Sequence, residues 1–122
     1  MYKLNVTETF SAAHRLDGYQ GLCCNLHGHN WKVRVGLVCS ELDGIGMALD
    51  FGIIKQHLRR ILTPLDHAYL NDLPEFKGIN PTSEHLAQYI HDEMQLRLAD
   101  TVCSVFEVEI SESEKTSVVY QK

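Results

Sequence analysis

The stretch His27-Gly28-His29-Asn30-Trp31-Lys32-Val33-Arg34-Val35-Gly36-Leu37-Val38-Cys39 decides the fold. His27, His29, Trp31, Val33, Val35, Leu37 and Cys39 share one parity, while Lys32 and Arg34 take the other, which is the period of a strand with one apolar face. Side chains two residues apart on a strand leave the same face about 6–7 Å apart, a spacing that suits two ligands of one metal ion. An apolar face is a costly place for bare imidazoles, because each ring nitrogen needs a partner. A bound cation would supply one. Directly upstream, Cys23 and Cys24 bring two thiols close to the pair.

Residues 2–14 alternate in the same way, with Tyr2, Leu4, Val6, Phe10, Ala12 and His14 on one side and Lys3, Asn5, Thr7, Thr9 and Ser11 on the other. Glu8 breaks the apolar side, so either the strand carries a bulge there or that position is uncovered. If the two strands pair as an antiparallel ribbon, His14, His27 and His29 converge on one layer. Residues 15–26 form the connecting loop, with Gly18, Gly21 and Asn25 as turn residues. A loop beside a rigid strand pair is a common home for a reactive side chain.

Downstream, Ser40 to Gly46 closes the second strand. Asp50 is a good N-cap for a helix that carries Phe51, Ile54, Leu58, Ile61 and Leu62 on one face and stops at Pro64. A long connection follows, punctuated by Pro74, Gly78 and Pro81, and long ordered loops are often functional. Thr82 or Ser83 caps a second helix whose Leu86, Ile90, Met94 and Leu98 face the sheet. From Val102 the period returns to two, with Phe106, Val108 and Ile110 opposite Glu107, Glu109 and Ser111, and Val118 to Tyr120 form a last strand. Glu112 falls on the apolar parity, as a fraying end or as a ligand-binding carboxylate. Strand, strand, helix, helix, strand, strand is an α+β arrangement, a four-stranded antiparallel sheet with two helices on one face. Its two free edges predict an oligomer in which sheets join edge to edge.

At 122 residues the chain is expected to be one domain over 1–122, burying roughly two-thirds of its unfolded surface. The net charge of -5, with no basic run, argues against nucleic acid or an anionic membrane as main partner. No apolar run approaches a membrane span and the N-terminus lacks a signal-peptide pattern, so a cytoplasmic location is expected. The four cysteines do not form a disulfide framework on this reading. Cys39 and Cys103 are expected to be small buried hydrophobes in a reduced compartment.

Three histidines without an obvious fourth side chain suit a zinc ion with one open position for water or substrate. The alternative is that His14 is a hydrogen-bonded core or surface residue and only His27 and His29 are close. Cys23 could close the site as a fourth ligand, or act as an acid-base or nucleophilic thiolate. Asp66-His67 offers a carboxylate-tuned imidazole, although neighbours in a loop need not touch. His57, His85 and His91 lie on the expected helices, in solvated or helix-edge roles.

Phe10-Ser11-Ala12-Ala13-His14-Arg15-Leu16, Cys23-x-x-x-His27-Gly28-His29, Leu65-Asp66-His67-x-Tyr69-Leu70-Asn71-Asp72 and Asn80-Pro81-Thr82-Ser83-Glu84 occur in this order. Together they resemble the 6-pyruvoyl-tetrahydropterin synthase family, above all its bacterial branch, the 6-carboxy-tetrahydropterin synthases of queuosine biosynthesis. The resemblance covers essentially the whole chain. It implies the tunnelling fold, ββααββ, in which three subunits join their sheets into a barrel and two trimers stack as a hexamer. It implies His14, His27 and His29 as ligands of one Zn2+ per subunit, Cys23 as the catalytic cysteine, and Asp66 and His67 as its partners, supplied by a neighbouring subunit. Glu112 matches the carboxylate that anchors the pterin, with Glu109 and Glu114 as nearby alternatives, and Thr82 and Ser83 match a segment that shapes the pterin pocket.

The implied substrate is 7,8-dihydroneopterin triphosphate, and the implied products in the bacterial branch are 6-carboxy-5,6,7,8-tetrahydropterin, acetaldehyde and triphosphate. Animal-type enzymes that make 6-pyruvoyl-tetrahydropterin usually place five residues between the cysteine and His-x-His, where this chain has three, from Cys24 to Leu26. Cys24 is a further departure, a second thiol beside the first. Other readings are a 6-pyruvoyl-tetrahydropterin synthase, a zinc-stabilised pterin-binding module without turnover, and a zinc hydrolase acting on another heterocycle.

Overall fold

A computed structural model describes residues 1–122. The first two strands, β1 (Tyr2–His14) and β2 (His27–Cys39), pair antiparallel in unbroken register from Tyr2 opposite Cys39 to His14 opposite His27. Helix α1 (Phe51–Leu62), a two-residue strand β3 (Ala68–Tyr69), helix α2 (Ser83–Arg97) and strands β4 (Cys103–Ser113) and β5 (Thr116–Tyr120) complete the chain. The sheet order is β3-β1-β2-β4-β5. Every pairing is antiparallel except that of β3 with β1, which is parallel.

Both helices start where their caps direct. The Asp50 carboxylate accepts from the Gly52 amide at 2.7 Å, and the Thr82 hydroxyl from the His85 amide at 3.1 Å, each satisfying an otherwise unpaired donor of the first turn. Ile54, Leu58, Ile61 and Leu62 of α1 and Leu86, Ala87, Ile90 and Met94 of α2 are buried with Trp31, Val33, Val35 and Leu37 of β2 and Val108 and Ile110 of β4. Truncating one such leucine to alanine costs about 2–5 kcal/mol, through lost transfer energy and the cavity left behind. No helix is long and apolar enough to cross a membrane.

The expected α+β fold is the one observed, with two helices on one face of the sheet, and several details differ from the reading of the sequence. The sheet has five strands, not four. After α1 the chain folds back along β1, where the His67 amide donates to the Ser11 carbonyl at 2.6 Å and Ala68 and Tyr69 align with Ala12 and Ala13. Two residues are too few for a period to register. Glu8 needs no bulge, since its carboxylate accepts from Arg59 Nε of α1 at 2.9 Å, an ion pair that lets an acid sit on the helix side.

Phe51 and Phe106 are not core residues, at 55% and 41% exposure. Phe51 occupies the first position of α1, ahead of the buried stripe. Phe106 lies where β4 gains one residue against β2, so that Gly36 faces Glu107 and Leu37 faces Val105. The extra residue switches the parity of β4. Cys103 and Val105 therefore point to the core before it, and Val108 and Ile110 after it.

Cys39 and Cys103 are joined in a disulfide rather than being free thiols, with their Cα atoms 4.4 Å apart on directly opposed positions of β2 and β4. Alternation in each strand is legible separately, but which residue of one strand faces which of the other depends on the register. Only Cys23 and Cys24 are free. His91 is also misplaced by a helix-edge reading. It is buried between α2 and Tyr120 of β5, their rings edge-on at 5.1 Å, with Nδ1 3.0 Å from the Asp92 carboxylate.

The face of the sheet away from the helices is polar. Glu107, only 8% exposed, accepts from Lys3 Nζ at 3.0 Å, Arg34 Nη2 at 3.1 Å and Gln121 Nε2 at 2.9 Å. Those three donors hold its carboxyl down to about 2.

Candidate functional site

The unbroken register of β1 and β2 sets His14 opposite His27 and Ala12 opposite His29. The three rings therefore crowd one end of the ribbon on its helix side, with centroids 4.4, 4.8 and 5.2 Å apart. Trp31 forms the floor, its ring 5.1 Å from both His14 and His29, and its indole N–H donates to the Ala12 carbonyl at 3.3 Å.

A carbonyl oxygen can only accept, so ring nitrogens that meet one must carry the proton. His14 Nδ1–H donates to the Pro81 carbonyl at 2.8 Å, and His27 Nδ1–H donates to the Asn25 carbonyl at 2.7 Å. Both rings then present an unprotonated Nε2 to the centre of the cluster. Nε2 of His14 and of His29 are buried without a hydrogen-bond partner. Burial lowers the pKa of His14, against the pull of the Pro81 carbonyl, and the two neighbouring rings lower it further. Burial also lowers that of His29, opposed by the Glu112 carboxylate. For His14 and His29 burial thus favours the neutral imidazole, which is the form a metal ion requires.

One candidate ligand atom from each of His14, His27 and His29 lies within 4.8 Å of the others. Orphaned lone pairs converging on one point, with their tautomers set from outside, fit a divalent cation. An all-imidazole triad is the donor set of zinc sites that keep a place for substrate. Cys23 is not in the converging set. It lies half-buried in a short 3-10 turn (Leu22–Cys24), and shares with Thr82, Ser83, Glu112 and Tyr19 the wall of a cavity of about 320 Å3. Glu112 joins the cavity to the cluster, because one carboxylate oxygen accepts from Ser83 Oγ at 2.8 Å and the other is 3.6 Å from His29 Nε2.

Asp66 and His67 lie elsewhere. The Asp66 carboxylate accepts from the Ser11 amide at 2.9 Å and from His67 Nδ1 at 3.0 Å, so the dipeptide's two side chains do touch. The Ser11 amide, and then His67, hold the Asp66 pKa below its ordinary value. His67 has a left-handed backbone, φ 58°, and its side chain is 82% exposed. It lines a cavity of about 420 Å3 with Ser11, Asn30 and His29, and Cys23 is not on that wall. Cys23 and His67 thus line different cavities, each of which borders the histidine cluster, the first through Glu112 and the second through His29.

Three residues matter to this geometry that carried no role in the sequence reading. The Asn71 side chain bridges the amide and carbonyl of Arg15, and the Asn80 side chain those of Asp17, all four bonds at 2.8 Å. These clamps tie the loop after His14 to the connection between the helices. Pro81 supplies the carbonyl that orients His14. In the sequence Pro81 only punctuated the long connection, and nothing local names His14 as its partner.

Comparison with known proteins agrees over nearly the entire chain. The family model described as 6-pyruvoyl tetrahydropterin synthase matches residues 3–122. A 6-pyruvoyl tetrahydrobiopterin synthase of Dictyostelium discoideum is 36% identical, covering 93% of this chain and 91% of the relative. A 6-carboxy-5,6,7,8-tetrahydropterin synthase of Synechocystis is 37% identical over 71% of this chain and 70% of its own. The structure of Caenorhabditis elegans 6-pyruvoyl tetrahydropterin synthase superposes with a TM-score of 0.86 at 29% identity, over 99% of this chain and 95% of that one. With the sheet, the helix pair and the histidine cluster all in place, the chain belongs to the 6-pyruvoyl tetrahydropterin synthase family.

Proposed function

We propose that the protein is a zinc-dependent 6-carboxy-tetrahydropterin synthase, converting 7,8-dihydroneopterin triphosphate and water to 6-carboxy-5,6,7,8-tetrahydropterin, acetaldehyde and triphosphate, in queuosine biosynthesis. The observation that carries this reading is the convergence of one ring nitrogen from each of His14, His27 and His29 within 4.8 Å, with Nε2 of His14 and His29 left unpartnered, next to a cavity walled by Cys23 and Glu112. When bound, zinc would supply Lewis-acid stabilisation of the substrate's side-chain oxygens. Glu112, free to accept two N–H bonds, would hold the pterin edge and set its register, with Ser83 steadying the carboxylate at 2.8 Å and Thr82 on the same wall.

Cys23, as thiolate, would take and return protons at the substrate side chain. His67, oriented by Asp66 at 3.0 Å, would be the second acid-base group. The lining of different cavities by Cys23 and His67 supports a site in which His67 comes from a neighbouring subunit. This accords with assembly as a hexamer of two trimers. The short spacer between Cys23 and His27 supports the carboxy product. The 6-pyruvoyl reading has an observation of its own, the longer coverage by the Dictyostelium relative at equal similarity.

Incubating the zinc-loaded protein with dihydroneopterin triphosphate and identifying products by mass spectrometry tests both. Acetaldehyde with 6-carboxy-tetrahydropterin is the expected result. Retention of the three-carbon side chain as 6-pyruvoyl-tetrahydropterin would replace the carboxy assignment, and no turnover with zinc bound would leave a binding module.

A further inference from the structure

The β2–β4 ladder ends at the rung of Lys32 and Ser111. Beyond it β2 runs on through Asn30 and Gly28 paired only with β1, while β4 loses register with β5 between Ile110 and Ser113 as it enters the hairpin. The strands part, and the gap is a cavity of about 730 Å3 with no hydrophobic residue on its wall. His29 and Glu112 reach it from the helix side. Lys32 and Asn30, which alternate to the other face, line it with Ser111 and Ser113.

We propose that this gap holds the triphosphate of the substrate, with Lys32 as its cation and Asn30, Ser111 and Ser113 as neutral donors. The inference rests on the synthase reading above for the identity of the anion. Three observations support it. First, the wall carries no hydrophobic residue, which suits a hydrated, charged group better than the flat apolar faces of a pterin. Second, in the three cavities of about 420, 730 and 320 Å3, which touch His29, Cys23 or Glu112, Lys32 is the one lysine or arginine. Other cations of the region are engaged, Arg15 with Asp17 at 2.9 Å, Lys3 with Glu107 at 3.0 Å and Arg34 with Glu107 and Glu109 at 3.1 Å. Third, Asn30 Oδ1 already accepts from Ser11 Oγ at 2.7 Å, so its amide hydrogens are the part left to meet a ligand. Glu112 and Glu114 both stand on the same wall and oppose an anion there; Glu112 is assigned to the pterin, so removal of Glu114 is the informative change.

The test uses the zinc-loaded protein, titrated by pterin fluorescence with neopterin triphosphate and with neopterin, which differ only in the phosphates. Lys32→Ala should weaken neopterin triphosphate by roughly 10-fold, the size of one charge-assisted hydrogen bond, and change neopterin by less than about twofold. Lys32→Arg should recover most of the loss, Glu114→Gln should tighten the triphosphate form, and Lys115→Ala on the same hairpin should leave the ratio alone. Equal affinity of the wild type for both pterins overturns the proposal. So does an unchanged ratio in Lys32→Ala, or an equal loss in Lys115→Ala. A Lys32-dependent preference for the triphosphate without turnover of dihydroneopterin triphosphate would retain the anion site and remove the synthase reading. Turnover with no Lys32 dependence would do the reverse.

Discussion

At the scale of single residues, the site depends on where protons are held. His14 and His27 each spend Nδ1–H on a backbone carbonyl, which leaves Nε2 as the nitrogen of each ring open to a ligand. Replacing His27 with alanine removes one of three imidazoles, and zinc content by atomic absorption is expected to fall to near zero with a lowered melting temperature. Replacing Cys23 with alanine should leave zinc content and melting temperature unchanged, because Cys23 stands outside the converging set, while kcat falls by about 100-fold or more. Loss of zinc from that variant would turn the site into a closed structural one.

Glu107 makes a pH prediction on the far face. Its carboxyl, near 4.5 when unfolded, lies at about 2 in the folded chain. Between these values the unfolded state binds the extra proton, so the contribution to stability is complete above about pH 4.5 and is lost as pH falls toward 2. Urea midpoints measured between pH 6 and 3 should fall less steeply for Glu107→Gln than for the wild type.

At the scale of elements, the ordered connection between helices holds the loop that carries Cys23 through paired asparagine clamps. The disulfide between Cys39 and Cys103 pins the opposite end of the β2–β4 ladder, closing a separation of 64 residues. Restricting a loop of that length in the unfolded chain is worth up to about 4 kcal/mol. A Cys39→Ser/Cys103→Ser double variant should therefore unfold about 2–4 kcal/mol earlier in denaturant, with its zinc content unaltered, since the bridge lies at the far end of β2 from His27 and His29. Thiol titration of the folded wild type should find two reactive groups, Cys23 and Cys24. Four would mean the bridge is absent in solution.

At the scale of the whole molecule, Cys23 and His67 line different cavities of one chain, and the proposed synthase reading draws His67 from a neighbouring subunit. Cys23→Ala and His67→Ala variants should each be nearly inactive alone. After unfolding and refolding together in equal amounts they should recover roughly a quarter of wild-type activity, the share of sites in which an intact Cys23 meets an intact His67 from a neighbour, as head-to-tail ring contacts require. No recovery, with mixed oligomers demonstrated, would place both groups in the same chain's site.

The α+β order and the parity of His14, His27, His29 and Glu112 were legible without coordinates, because burial on one face of a strand or helix imprints a short period on the chain itself. Asp50 was legible as a cap, and the second cap was narrowed to Thr82 or Ser83, for the same reason, since a cap and the amide it serves are two or three residues apart. What tertiary structure alone decided joins residues far apart in sequence: Cys39 bonded to Cys103, Pro81 orienting His14, Arg59 neutralising Glu8, and Ala68–Tyr69 added beside β1. The bulge that turns Phe106 outward belongs with these, because one extra residue in β4 is visible only against its partner strand. Periodicity reports which face of an element is buried. Register and long-range partners are set when the faces pack together, and no local pattern records them.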